Sequence, residues 1–80
     1  MTTMTDRERL AWLEAEAEKA YDQMYDAMRP RDADDCYRDA KDFLYDAIAL
    51  ATELGLTADS ERLSARLAHI KAVYRSQFVQ

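Results

Sequence analysis

One cysteine, one histidine and sixteen carboxylates are the side chains of this 80-residue chain with types suited to chemistry. Cys36 would act as a nucleophile only with a base beside it. It falls instead on the apolar side of its helical stretch, where a thiol behaves as a small, inert hydrophobe. His69 lies roughly 130° from the apolar stripe of its own stretch, near Arg62 and Arg66, which makes it a surface imidazole. Helical di-metal sites draw Glu from several helices and add Glu-x-x-His pairs. Here the residue three before His69 is Arg66, so no metal centre is expected. With a single glycine and a single cysteine there is no Gly-rich phosphate loop and no paired-Cys zinc motif. Nor is there a nucleophile elbow. No catalytic residue, metal or cofactor is expected, and the chain is not read as an enzyme.

The carboxylates have a different logic. Asp35, Asp39, Asp42, Asp46 and Glu53 line one side of a single helical stretch. Such a stripe is either a solvated outer face or a docking surface that attracts a basic protein. It could also imitate a phosphate backbone, as small acidic inhibitors of nucleic-acid enzymes do. The net charge is −5. Residues 1–40 hold 6 Lys/Arg against 11 Asp/Glu, and residues 41–80 hold 5 against 5, so the excess lies in the first half. Direct nucleic-acid binding needs a basic footprint and is not expected.

Three amphipathic stretches must position these groups, at about residues 6–29, 32–54 and 58–78. Thr5-Asp6-Arg7-Glu8 has the form of a capping box. Leu10, Leu13, Ala17, Ala20, Tyr21, Met24 and Met28 then recur at helical spacing, and Pro30 is expected to end the helix. Asp32 is the expected cap of the second helix. Its apolar arc, from Ala33 through Tyr37, Phe43, Leu44 and Ile48 to Leu54, spans roughly 160°, enough to touch two neighbours. Gly55 supplies a left-handed stop, with Leu56 packing back. Thr57 is the expected cap of the third helix, whose stripe is Leu63, Leu67, Ile70, Tyr74 and Phe78, flanked by Val73. Short connections imply antiparallel neighbours. The expectation is an all-α, antiparallel up-down-up three-helix bundle forming one domain over residues 1–80, with residues 1–4 a flexible N-terminus.

Tyr37-x-x-Ala40, Ala47 and Ala49-Leu50-Ala51-x-x-Leu54-Gly55 resemble the second helix of a tetratricopeptide repeat. Leu67, Ile70 and Val73-Tyr74-Arg75-Ser76-Gln77 resemble the first helix of the next one. The resemblance covers residues 37–78 and implies a helical hairpin that serves protein interaction rather than catalysis.

Some residues sit off these stripes. Trp12 lies well over 90° from the centre of the first, so it is either an interface anchor or covered by a neighbouring segment. Tyr45 also turns away from its stripe. Ala65, Ala68 and Ala72, with Val79 beyond, would let another helix approach closely, or are simply alanine filling a helix surface. A chain this short buries roughly 60% of its unfolded surface, and neither disulfides nor a metal cluster can add to its core. A homodimer or docking on a protein partner is expected to do so. No apolar run approaches the ~20 residues of a membrane span, and residues 1–5 lack the form of a signal peptide. The expected product is a cytoplasmic, non-enzymatic interaction protein, an adaptor or regulatory subunit. The alternative is an acidic inhibitor that blocks a basic groove.

Overall fold

Residues 3–78 are described by a computed structural model. It contains three α-helices: α1 Asp6–Asp26, α2 Pro30–Glu53 and α3 Thr57–Gln77. Val79 and the first two residues of the expected flexible N-terminus lie outside the described residues. The fold is an all-α three-helix bundle, and side-chain contacts give its directions. Trp12 meets Phe43, and further along α1, Ala20 and Gln23 lie beside Asp39, so α1 and α2 run antiparallel. Thr52 pairs with Ser60, Tyr45 with Lys71 and Tyr37 with Tyr74, so α2 and α3 are antiparallel as well. The links Glu14–Arg62, Glu18–Arg66 and Tyr25–Phe78 climb α1 and α3 together. The topology is therefore up-down-up.

The capping box forms as its residues demand. The Glu8 amide donates to Thr5 Oγ1 at 3.2 Å, and the Thr5 amide donates to Glu8 Oε1 at 3.3 Å. The junction between α1 and α2 departs from the expectation. The chain leaves α1 at Ala27, which is extended (φ −66°, ψ 129°), three residues before Pro30. Pro30 begins α2 instead of ending α1, and Arg29, not Asp32, is the N-cap. The first helical position is where a proline lacks nothing, because its missing N–H would have had no helical partner. The residue before a proline is held extended, and Arg29 obeys with φ −125° and ψ 146°. Asp32 stays in the first turn, where the dipole favours a carboxylate. Met28 consequently drops out of the stripe and is 94% exposed.

At the other junction, Gly55 adopts φ +74°. Its amide donates to the Thr52 carbonyl at 3.1 Å, and the Leu56 amide donates to the Ala51 carbonyl at 2.8 Å. These are the paired bonds of a Schellman ending, and Leu56 packs back on the core. Leu56, not Thr57, is the N-cap of α3, and Thr57 makes no capping hydrogen bond. The Schellman bonds have already committed the Leu56 backbone, so the helix begins one residue earlier than a side-chain cap would start it. A Cβ built on Gly55 meets nothing within 4 Å. Gly55→Ala should therefore cost about 1 kcal/mol from backbone strain alone. That corresponds to a fall in Tm of roughly 4–8 °C, to be read by thermal circular dichroism.

The core gathers Leu10, Leu13 and Ala17 of α1, Leu44, Ala47 and Ala51 of α2, and Leu63, Leu67 and Ile70 of α3. Helix α2 is central: its backbone lies close to both neighbours, whereas α1 and α3 are joined mainly by long side chains. The wide apolar arc of α2 is the cause. Among the described residues no polar side chain is buried. No helix is long and apolar enough to cross a membrane.

Candidate interaction surface

Trp12 projects from α1 toward α2 and sets its ring edge-to-face against Phe43, with centroids 5.8 Å apart. The contact covers only part of the indole, which remains 46% exposed. Two shallow clefts flank the pair on the same face. One, of about 260 Å³, lies among Arg9, Leu13, Asp46, Leu50 and Glu53. The other, also about 260 Å³, lies among Glu16, Lys19, Gln23, Asp39 and Phe43.

Asp35, Asp39, Asp42, Asp46 and Glu53 are all exposed. None of them lies within ion-pair distance of a cation among the described residues. Asp32, Asp39, Asp46 and Glu53 stand seven residues apart, so they form one slowly drifting row about 10.5 Å per step along α2. Asp39, Asp46 and Glu53 of that row border the clefts beside Trp12. Cys36 is half-buried near its start. Burial first, and then Asp39, Asp32 and Asp35, push its thiol pKa up, against thiolate chemistry.

Other candidates fall elsewhere. Tyr45 is 48% exposed, but Lys71 Nζ donates to its hydroxyl at 2.7 Å and sits 5.2 Å from its ring centroid. It therefore ties α2 to α3. Ala65, Ala68 and Ala72 are exposed on α3. On a 100° wheel Phe43 and Tyr45 are roughly 160° apart, so Trp12 and Tyr45 belong to different faces. His69 is exposed, and no group of three potential metal ligands converges among the described residues.

Two features escaped the sequence reading. Glu14 and Glu18 of α1 each grip an arginine of α3. Arg66 Nε and Nη2 donate to the two Glu18 oxygens at 2.9 and 2.6 Å. Arg62 spans both Glu14 oxygens and also reaches Asp59 at 3.3 Å. These acceptors raise both guanidinium pKa values, through Glu14 then Asp59 for Arg62 and through Glu18 for Arg66. The side chains are 33–51% exposed, so each pair contributes ~0–1 kcal/mol and sets register more than stability. Matched four-residue spacing, acidic at 14 and 18 and basic at 62 and 66, was the available signal.

The second feature is a continuous run of aromatic rings. Tyr37 stacks on Tyr74 at 3.8 Å, Tyr74 on Phe78 at 5.9 Å, Phe78 meets Tyr25 at 5.6 Å, and Tyr25 meets Tyr21 at 5.3 Å. The Tyr21 and Tyr25 hydroxyls are 2.9 Å apart. That hydrogen bond, helped by burial, pushes the Tyr21 pKa from 10.0 up to about 12. A pKa raised by folding means that the stabilisation is complete below about pH 10 and is lost as pH rises through about 12. Absorbance titration at alkaline pH should show one tyrosine ionising late, and Tyr21→Phe should remove that late step.

No protein-family model, no curated protein and no solved structure matches the chain.

Proposed function

We propose that this chain is a non-enzymatic protein–protein interaction module, a small self-associating adaptor or regulatory subunit of the cytoplasm. The observation that carries this reading is how much apolar surface the fold leaves open. Trp12, Tyr25 and Tyr45 are 46%, 48% and 48% exposed, and Met28 is 94% exposed. The accessible surface is 5703 Å², against roughly 5000 Å² for a compact 9.3 kDa monomer. The radius of gyration is 13.5 Å, where a compact domain of this length has roughly 12 Å. The hairpin likeness of residues 37–78 supports the same class of function.

Apart from Met4 and from Tyr45, which Lys71 ties to another face, the exposed large apolar side chains fall into two regions. One is the Trp12–Phe43 face. The other is the end of the bundle where Met28, Pro30, Ala33 and Phe78 border a cleft of about 280 Å³, beside Tyr25. This end is the part suited to self-association, since an apolar patch can be placed against its own copy about a two-fold axis. Sedimentation at low micromolar concentration should give a dimer, and Met28→Asp should return it to a monomer. A wild-type chain that stays monomeric at every concentration would refute the self-association. The second reading, an acidic inhibitor of a basic groove, is favoured by the carboxylate row, which has no ion-pair partner among the described residues.

A further inference from the structure

The α1–α2 face carries more than an exposed tryptophan. It has an apolar centre, with Trp12 edge-on to Phe43 and Leu50 and Leu13 bordering the adjoining cleft. Clefts lie on either side of that centre along the helix direction. One margin is the row Asp39, Asp46 and Glu53. The opposite margin, on α1, mixes Arg9 and Lys19 with Glu16. An apolar seam with a heptad row of like charge on one flank is the geometry that a facing helix reads, through its own apolar stripe and oppositely charged flank.

We infer that this face docks a basic amphipathic helix of a partner protein, with an apolar anchor over Trp12–Phe43 and Lys/Arg side chains over the α2 carboxylate row. The inference rests on the interaction-module reading and names the partner chemistry for this face. A second copy of the chain is a poor occupant. A two-fold axis across the helices would set the Asp39/Asp46 row against itself, where like charges repel, and one along them would offer the row only Arg9 and Lys19, interrupted by Glu16. A partner helix with a basic flank turns the same row into attraction. The row's spacing of about 10.5 Å per seven residues matches a helix lying alongside.

The test uses the whole chain and two synthetic three-heptad peptides without aromatic residues. They are identical in apolar stripe, with Lys on every flanking position of one and Glu on the other. Trp12 is the single tryptophan, so its emission reports this face directly. The Lys peptide should bind, shift Trp12 emission to the blue and shield it from iodide, while the Glu peptide should not. Asp39→Lys with Asp46→Lys should weaken binding roughly tenfold. Asp22→Lys with Glu61→Lys makes the same change in net charge at exposed positions off the face, and should weaken it by less than about threefold.

Absence of Lys-peptide binding, equal losses in the two double variants, or binding that leaves Trp12 emission unchanged would each overturn the inference. So would a blue shift produced by self-association alone, which assigns the face to a second copy. Protection by a nucleic-acid enzyme's basic groove but not by the peptide would assign it to the inhibitor reading. Peptide failure with the Met28-dependent dimer intact removes only this inference. Failure of both removes the interaction-module reading too.

Discussion

Leu44→Ala is expected to remove about 2–5 kcal/mol of stability. Leu44 is fully buried in the central helix, within the cluster that joins all three helices. Its truncation leaves a cavity that neither neighbour can fill without moving away from the other. A domain of this length is stable by ~4–12 kcal/mol in total, so the loss is a large share. A drop in Tm of roughly 10 °C or more should appear in thermal circular dichroism. The measurement is made at fixed protein concentration, because self-association would itself shift Tm. A drop of only a few degrees would show that Leu44 is not shared between α1 and α3.

Ala47→Leu is expected to destabilise in the opposite sense, by overfilling, at about 1–3 kcal/mol. Among the described residues, six of the thirteen buried apolar ones are alanines, two on α1 (Ala17, Ala20) and four on α2 (Ala33, Ala40, Ala47, Ala51). Small side chains on both facing helices are what let the α1 and α2 backbones approach closely. Ala47 has no exposed surface, so three added carbons must push the helices apart. Leucine and alanine differ little in helix propensity. The same substitution at exposed Ala11 should therefore change stability by less than about 0.5 kcal/mol. Chemical denaturation of the two variants side by side checks the contrast. Equal effects would mean that the α1–α2 contact is looser than its alanines suggest.

Much of this architecture was legible before any coordinates. The three helices, the Thr5 capping box, the Gly55 stop and the buried stripes from Leu10 to Ile70 all rest on neighbours within about one helical turn. Such features are encoded locally, in caps, glycine and 3.6-residue periodicity. The candidate face was half legible. The carboxylate row and the off-stripe Trp12 follow from the helical wheel, but Phe43 as the partner of Trp12 does not.

What only the tertiary structure decided depends on which faces meet. Pro30 can end one helix or begin the next, and its own chemistry permits both; the chain leaves α1 at Ala27, so it begins α2. Met28 fits the stripe by spacing and lies in solvent because the helix stops short of it. Glu14 and Glu18 look like surface charges until α3 runs parallel to α1 and brings Arg62 and Arg66 within reach. The sequence by itself determined the rods and their oily sides, because those depend on short-range geometry. Rotation, splay and the faces left open were decided by packing among residues far apart in the chain.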